Sequence, residues 1–533
     1  MSMPNTSTPT FTVETVMGLS PQSIAQTLQA QAASISALEQ QLEWFKRQLF
    51  GKKSERFAPL PDAQQMHLGQ LLGDLPATDA PEADSDSNTI PAHQRRKPRS
   101  NFADEGTPAS FFDETKVPVH TIELANPETK DLSPDQYEVV SQKVSHRLAQ
   151  RPGAYVVLKY VRSVIKRHDT QTLHCAGAPT GIIEGSRADV SLLAGVVVDK
   201  FAWHIPLYRQ HQRLSQAGFK LSRAWLTQLA QKTISLLEPI YDTQLESIRN
   251  SRVKAMDETP IKAGRSGPGK MKAAYFWPVY GELDEVCFAY FESRRHEHVQ
   301  QALGLPGATD AVLLTDGYEA YARYAAKTGI THAQCWAHCR RGFFEALGAE
   351  PQAAGQALQQ IGEIYAQEEA IRERDLYGDA KREHRLSHSK PLVQNFFEWV
   401  DLQFERQGFL PSNPLTKALA YARERRAQLQ VFLGDADVAM DTNHLERALR
   451  AIPMGRRNWL FCWTEVGAKR AGIMQSLIVT CRLHDIDPYT YLVDVLQRVG
   501  HHPASRVSEL TPRQWKQHFA ENPLRSPLHG LVT

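Results

Sequence analysis

Residues 253–261 read Val-Lys-Ala-Met-Asp-Glu-Thr-Pro-Ile, and this stretch decides the predicted fold of the 533-residue chain. Apolar and polar residues alternate and a proline follows, which is typical of a short strand that ends at the edge of a sheet. Asp257 follows this strand directly, so its carboxylate would project from the sheet edge.

Two later stretches supply partners for Asp257. Residues 311–318 (AVLLTDGY) are an apolar run that ends in Asp316-Gly317, and residues 441–447 (DTNHLER) are the polar start of a helix that carries Glu446. Taken singly, such residues usually cap helices or form turns. Together they are stronger evidence of a catalytic site, because three carboxylates at the ends of separate elements can hold the two divalent metal ions of a phosphoryl transfer.

The composition is that of an ordinary soluble globular protein, with 42% hydrophobic and 23% charged residues. The length predicts two to four domains. No run of about 18 apolar residues predicts a membrane span, and no secretory signal is visible. Six scattered cysteines form no disulfide framework, which fits a reducing cytoplasm. A net charge of +2 leaves nucleic-acid binding open.

The N-terminal part divides into three segments. Residues 1–16 are predicted to be a disordered tail, and residues 57–100 a flexible, largely acidic linker that ends in a basic cluster. Between them, residues 17–56 are predicted to form a coiled-coil helix that mediates self-association, with an amphipathic helix packed on its own domain as the alternative. Its heptad positions are Leu28, Ile35, Leu42 and Leu49.

Two modules are predicted to precede the Asp257 strand. Residues 101–185 alternate in the manner of strands and indicate a small β-rich module. Residues 186–250 are helical in pattern, and a helix that begins at Ser222 and carries Arg223 and Trp225 resembles a DNA-binding helix-turn-helix. An ordinary helical hairpin fits this pattern equally well.

The chain as a whole is predicted to be a multidomain α/β protein. Within residues 251–345, the Asp257 strand is followed by a predicted hairpin, and helices then alternate with strands, one of them over 312–315. Three antiparallel strands followed by this alternation predict the first part of a ribonuclease-H-like catalytic core. Residues 346–440 are predicted to be a helical insertion. Residues 441–500 complete the core with its last helix and a C-terminal region, and residues 501–533 are predicted to be a C-terminal tail.

Further candidate residues surround the three carboxylates. Cys335 and His338 have zinc-ligand spacing, although a supporting role beside the Asp316 site fits better because no second ligand pair follows. The basic candidates could bind DNA phosphates, with a solvated helix face or a surface ion-pair network as the alternative. Trp459 could stack on a base. The basic candidates are Arg340, Arg341, Arg447, Arg450, Arg456 and Arg457.

These motifs together resemble the bacterial transposases of insertion-sequence family sixty-six, a branch of the DDE transposases. The resemblance covers residues 20 to 500. The matching stretches are Leu49-Phe-Gly-Lys-Lys-Ser-Glu-Arg, Leu207-Tyr-Arg-Gln to Gly218-x-x-Leu-Ser, Asp257-Glu-Thr-Pro, Thr315-Asp-Gly-Tyr, Cys335-x-Ala-His-x-Arg-Arg, Asn443-x-x-Glu-Arg-Ala-x-Arg, Gly455-Arg-Arg-Asn-Trp-Leu-Phe and Asp487-Pro-Tyr-x-Tyr-Leu.

The resemblance implies a site and a reaction. Asp257, Asp316 and Glu446 would be the catalytic, metal-binding triad for two Mg²⁺ or Mn²⁺ ions, with Cys335 and His338 as the family's signature beside it. Water attack would nick the transposon end, and the freed 3′-hydroxyl would attack target DNA. The implied partners are DNA, a second copy joined through residues 20–50, and companion proteins of the same element. The implied location is the bacterial cytoplasm, associated with the nucleoid.

One region departs from the family pattern. Family members usually carry a small cysteine-rich zinc module before the catalytic domain, but this region offers only Cys175 with His174. Because a tetrahedral zinc site needs four ligands, no zinc is expected there. Three other functions compete with a transposase: a metal-dependent nuclease that cuts without joining, a catalytically inactive or domesticated DNA-binding protein, and a coiled-coil scaffold.

Overall fold

The computed structural model describes the chain from Phe111 to Leu531. Within that span, residues 306–309 and 407–409 and seven single positions are not described. The predicted tail, coiled-coil helix and linker of residues 1–100 therefore lie outside the described residues. The seven single positions are Glu114, Lys116, Asp131, Pro152, Leu460, Phe461 and Trp463.

The β-rich region forms a four-stranded sheet. Its two long strands are rich in β-branched residues, which favour this conformation. The third strand is central: the second pairs with it antiparallel along one edge, while the first (parallel) and the fourth (antiparallel) pair along the other. The strands are β1 (Val119–Leu124), β2 (Tyr137–Arg151), β3 (Ala154–Arg167) and β4 (Leu173–Cys175).

Three helices follow this sheet. The third begins where the sequence predicts, because the Ser222 hydroxyl oxygen accepts a hydrogen bond from the backbone N–H of Trp225 at 3.1 Å. It is 28 residues long, and its apolar face is buried against the rest of the fold. The helices are α1 (Val190–Phe201), α2 (Leu207–Gln216) and α3 (Arg223–Asn250).

A six-stranded mixed sheet carries the Asp257 stretch. The predicted strand over 312–315 and the predicted hairpin after Asp257 are both confirmed. The strands are β5 (Val253–Met256), β6 (Thr259–Gly267), β7 (Lys270–Gly281), β8 (Glu285–Phe291), β9 (Val312–Thr315) and β10 (Thr331–Gln334).

Asp257 lies at a break between two strands that pair with the same neighbouring strand. Strands β5 and β6 pair antiparallel with successive parts of the same edge of β7, while β8 occupies the opposite edge. Asp257 and Glu258 lie between β5 and β6, and the backbone N–H of Asp257 donates to the carbonyl of Pro278 at 3.3 Å. On its other side β5 pairs parallel with β9, and β9 pairs parallel with β10. The order through the centre is therefore β8-β7-β5-β9-β10.

Helices cover both faces of this sheet. Trp277 and Cys287 face an apolar cluster that includes α4 (Glu297–Leu303) and α5 (Glu319–Thr328). Phe276 and Phe288 face the larger core, where α14 (Glu465–Leu483) crosses β8. That crossing requires Gly472, because a Cβ atom there would lie 2.4 Å from the carbonyl oxygen of Phe288.

The residues between β10 and Glu446 are helical, as the sequence pattern predicts. Trp336 lies at the centre of this region, and its ring packs against Phe396, Phe397 and Phe432. The helices are α6 (Trp336–Ala346), α7 (Pro351–Glu373), α8 (Gly378–His384), α9 (Lys390–Glu405), α10 (Pro414–Glu424) and α11 (Arg426–Gly434), with a π-helical turn over Arg385–Ser389.

Arg385 joins this helical region together. Its fully buried guanidinium donates to both oxygens of Glu368, at 2.8 and 2.7 Å. It also donates to the carbonyls of Phe432, Asp435 and Val438, at 2.8 to 3.0 Å. These carbonyls lie where the chain leaves α11 for the helix of Glu446, so Arg385 fixes the path back toward that helix.

Replacing Arg385 by methionine should lower the free energy of unfolding by about 3–5 kcal/mol, because Glu368 would remain buried without its partner. Urea unfolding measures the change. The matched control is Arg382→Met, whose side chain is 49% exposed and should change stability by about 0.5 kcal/mol or less. A loss below about 1 kcal/mol for Arg385→Met would contradict the assigned role.

The C-terminal part packs on the fold, which differs from the predicted tail over 501–533. Trp515 is buried, and its indole N–H donates to Asp494 at 2.8 Å. Leu528 joins the apolar cluster of the first sheet with Ala149 and Val156. The difference arises because Leu510, Trp515 and Leu528 are buried by contacts with distant parts of the chain, which the local sequence does not reveal. The remaining helices are α12 (Asn443–Leu449), α13 (Ala451–Trp459), α15 (Pro488–Arg498) and α16 (Pro512–His518), with 3-10 turns over Ala504–Leu510 and Pro527–Leu531.

Among the described residues, no helix is both long enough and apolar enough to cross a membrane.

Candidate active site

Two predicted carboxylates meet at one edge of the mixed sheet. Asp257 follows β5 and Asp316 follows β9, and these strands are parallel neighbours. Their carboxyl ends therefore lie side by side. Oxygen atoms of Asp257, Glu258 and Asp316 lie within 4.8 Å of one another. Carboxylate oxygens are the ligands that Mg²⁺ and Mn²⁺ prefer, so this donor set fits a divalent cation.

Asp257 is held in an environment that disfavours its negative charge. Burial raises the pKa of its carboxyl to about 7, and the nearby carboxylates of Glu258, Asp316 and Glu446 act in the same direction. The opposing contribution comes from the backbone N–H of Glu258, which donates to Asp257 Oδ1 at 2.7 Å. A bound metal ion would neutralise the negative charge that these carboxylates gather here.

The Asp316 turn is packed against the helical region that follows β10. Asp316 Oδ1 accepts from the backbone N–H of Tyr318 at 2.9 Å. A Cβ atom at Gly317 would lie 2.6 Å from a ring carbon of Tyr421 and 3.1 Å from Arg425 Nε, so a larger residue would fit here only if these side chains shifted. The Arg425 guanidinium lies over the Tyr421 ring, 4.2 Å from its centroid. Tyr421 and Arg425 were not predicted as part of the site, because the local sequence around them carries no signal of this contact.

Glu258 stands next to Asp257 but was not among the predicted site residues. Its Oε1 accepts from Arg294 Nε at 2.7 Å and also from Arg294 Nη2, and its Oε2 accepts from the Tyr321 hydroxyl at 2.5 Å. Only 4% of its side chain is exposed. Because both oxygens already accept hydrogen bonds, Glu258 is less suited to bind a metal ion than Asp257 or Asp316.

Glu446 lies beside the cluster but outside the group of three. It is half-buried on α12, and its charge acts on Asp257 and His338. The start of α12 is held by Cys335, whose sulfur accepts from the backbone N–H of Thr442 at 3.3 Å and from its hydroxyl at 3.2 Å. Cys335 thus links the end of β10 to the helix that carries Glu446.

His338 lies near the same carboxylates. Burial lowers the pKa of its imidazole, and the charges of Asp316 and Glu446 oppose this shift. Its Nδ1 atom is buried and has no hydrogen-bond partner among the described residues. Cys335 and His338 are therefore both placed next to the predicted triad, one at the start of α12 and the other beside the carboxylates.

The predicted DNA-binding residues lie on or next to four helices, α3, α6, α12 and α13. Arg223 is exposed at the start of α3, with its guanidinium 4.7 Å from the ring centroid of Tyr208. Arg456 is half-buried and donates to the carbonyl of Pro260, within the Asp257 stretch. The side chain of Trp459 is outside the described part of the chain. The exposed candidates on or next to α6, α12 and α13 are Arg340, Arg341, Arg447, Arg450 and Arg457.

The sheet edge and its carboxylates define a candidate centre for divalent-metal chemistry. The family of this chain follows from its similarity to known proteins. The family model described as "Transposase IS66 family" matches residues 185–470. This match covers more than half of the chain, so the chain belongs to the IS66 transposase family. "IS66 C-terminal element" matches residues 476–513, and "Transposase C of IS166 homeodomain" matches residues 37–105.

Two proteins of Sinorhizobium fredii are similar to this chain over much of its length. The uncharacterized protein y4hP is 29% identical over 511 residues, which cover 91% of this chain and 89% of the relative. The uncharacterized protein y4qI is 30% identical over 357 residues, which cover 64% of this chain and 65% of the relative.

Proposed function

We propose that the chain is a DDE transposase that binds transposon ends and catalyses metal-dependent DNA cleavage and strand transfer. The observation that carries the proposal is the convergence of Asp257 and Asp316 at the ends of adjacent parallel strands, in a chain of the IS66 family. Asp257, Asp316 and Glu446 are the proposed catalytic triad.

The sheet supports a ribonuclease-H-like assignment of the core. Three antiparallel strands (β8, β7 and β5) are followed by two that are parallel to β5 (β9 and β10). Helices α7 to α11 fall within the proposed insertion over residues 346–440, which separates this sheet from α12 and Glu446.

The proposed reaction is an attack on phosphorus. Asp257 and Asp316, with Glu446 beside them, would hold two Mg²⁺ or Mn²⁺ ions, which lower the pKa of bound water and stabilise charge on phosphate oxygens. In the first step water attacks the phosphodiester, its proton passes to solvent, and the bond to the 3′ oxygen breaks as that oxygen takes up a proton. In the second step the new 3′-hydroxyl loses its proton and attacks target DNA, which releases a target 3′-hydroxyl.

The proposed partners are the transposon ends, target DNA and a second copy of the chain joined through residues 20–50. Companion proteins of the same element and association with the bacterial nucleoid belong to the same proposal. The exposed arginines on α6 and α12, near the carboxylates, are suited to bind the phosphate backbone.

A catalytically inactive or domesticated DNA-binding protein is the second candidate. The position of Glu446 favours it, because Glu446 lies outside the group formed by Asp257, Glu258 and Asp316. Such a protein would bind DNA and never cut it.

The test is Mg²⁺-dependent cleavage and joining of labelled transposon-end DNA by the wild type and Glu446→Ala. The matched control is Glu373→Ala, which changes an exposed carboxylate on α7. We expect the wild type and the control to cut and join, and Glu446→Ala to lose both activities. Cutting that survives in Glu446→Ala would show that another residue is the third ligand. A wild type that binds without cutting would favour the second candidate.

A further inference from the structure

Arg294 lies beside the carboxylate cluster, between β8 and α4. Two of its nitrogens, Nε and Nη2, donate to the same oxygen of Glu258. The flat face of its guanidinium lies over the ring of Tyr318, 4.2 Å from the ring centroid. The Tyr318 hydroxyl in turn donates to the backbone carbonyl of Arg294 at 2.6 Å. Both the side chain and the backbone of Arg294 are therefore held in place.

The groups that hold Arg294 are themselves rigid. Glu258 is almost fully buried and is fixed from its other oxygen by the Tyr321 hydroxyl. Tyr321 is fully buried, and it packs edge-on against Tyr318 and Trp277. A long, flexible side chain usually loses rotamer freedom when it binds a ligand. Here much of that freedom is already restricted before any ligand arrives.

One edge of the guanidinium remains available. No described residue accepts a hydrogen bond from Arg294 Nη1, and 46% of the side chain is exposed. An ordinary surface ion pair leaves both partners in water and contributes little to stability. In this pair only the cation reaches solvent, while the carboxylate is buried beneath it.

The charge of Arg294 also acts on the site itself. Arg294 interacts electrostatically with Asp316 as well as with Glu258. DNA that approaches this sheet edge meets a concentration of negative carboxylates, which repels its phosphates. A fixed cation at the border of the cluster offsets that repulsion where it is strongest. Arginine suits this role because its planar donors match the oxygens of a phosphate.

We propose that Arg294 is a phosphate-binding residue of the active centre, and that Glu258, Tyr318 and Tyr321 are positioning residues that aim its free edge. The ligand is a DNA backbone phosphate next to the bond that is cut. This inference rests on the proposed transposase function for the identity of that phosphate, and it assigns Glu258 to holding Arg294 rather than to binding a metal ion.

The first experiment compares the full-length wild type with Arg294→Gln, Arg294→Lys and Arg295→Gln. The last variant is the matched control, because Arg295 is the exposed neighbour and its replacement by glutamine removes the same charge. A labelled transposon-end duplex serves as the probe. Its affinity is measured in Ca²⁺ as a function of salt, and its single-turnover cleavage is measured in Mg²⁺.

We expect Arg294→Gln to slow cleavage by about 10- to 100-fold, because it removes a charged hydrogen bond to phosphate. The slope of log affinity against log salt concentration should decrease in magnitude by about one, as expected for the loss of one phosphate contact. Arg294→Lys should keep the salt dependence but recover only part of the rate, since an ammonium lacks the planar pair of donors. Arg295→Gln should cut within about twofold of the wild type.

A second experiment separates a positioning role of Glu258 from metal binding. If Glu258 acts through Arg294, the Glu258→Gln and Arg294→Gln variants should lose similar amounts of rate, and the double variant should be no slower than either. If Glu258 binds a metal ion instead, the double variant should lose far more and should need more Mg²⁺ for half-maximal cleavage. That second result would overturn the inference.

The outcomes also distinguish this inference from the proposed function. A wild type that never cuts, in Mg²⁺ or Mn²⁺, would contradict the transposase proposal, yet the salt dependence in Ca²⁺ would still show whether Arg294 contacts phosphate. Arg294→Gln that matches the wild type in both salt dependence and rate would overturn the inference alone. So would equal losses in Arg294→Gln and Arg295→Gln.

Discussion

Asp257→Asn is expected to slow DNA cleavage by about a thousandfold or more, as when one member of a catalytic unit is removed. The physical reason is that asparagine keeps the size of the side chain but loses the negative charge that a divalent ion requires. DNA binding should change little, because the exposed arginines are untouched. Single-turnover cleavage and equilibrium binding measure the two effects separately, and the exposed Asp310→Asn is the matched control.

The same variant should alter stability in a metal-free buffer. In the folded protein the pKa of Asp257 is about 7, above the value of about 4 for a free aspartate. The folded state thus holds its proton more tightly, so this group favours folding below pH 4 and loses that contribution as pH rises to 7. Above pH 7 the penalty reaches about 4 kcal/mol at most, and Asp257→Asn removes it.

Thermal unfolding in EDTA between pH 4 and pH 8 tests this expectation. Asp257→Asn should be the more stable protein at pH 8, and the difference should shrink toward pH 4. Added Mg²⁺ should raise the melting temperature of the wild type more than that of the variant, because ligands stabilise the state that binds them. Undiminished nicking by Asp257→Asn would remove this carboxylate from the active centre.

Gly317→Ala is expected to disturb the other central carboxylate. The new methyl group would lie 2.6 Å from a ring carbon of Tyr421 and 2.9 Å from its hydroxyl oxygen, closer than atoms can approach. Either the Tyr421 ring, which lies under the Arg425 guanidinium, or the Asp316 turn must then shift. Overpacking of this kind should lower the free energy of unfolding by about 1–3 kcal/mol. Because Asp316 moves with the turn, cleavage should fall by about 100-fold.

Two companion variants show whether the clash is the cause. Tyr421→Leu in the Gly317→Ala background removes the ring and should restore part of the lost stability. Gly355→Ala, on α7, is the control because nothing lies within 4 Å of the new methyl group. It should stabilise the helix by about 0.5–1 kcal/mol. If Gly317→Ala changed neither stability nor rate, the packing of α10 on the Asp316 turn would not matter for the site.

Local pattern was sufficient for several elements of the fold. The strand over 312–315, the hairpin after Asp257 and the helix that begins at Ser222 were all predicted from periodicity and capping. The sequence also predicted that Asp257 and Asp316 lie close together, because each carboxylate stands directly after an apolar run. The prediction of a tail over 501–533 did not describe a segment that packs through Trp515.

The sequence by itself determined the family, the α/β elements and the strand ends at which Asp257 and Asp316 stand, since these depend on residues close together in the chain. Tertiary structure alone decided that Glu258 holds Arg294, that Tyr421 packs on Gly317, and that Glu446 lies beside the cluster rather than within it. The Tyr421–Gly317 contact joins residues more than 100 positions apart. Periodicity reports which face of an element is buried, but it carries no information about which distant side chain will meet that face.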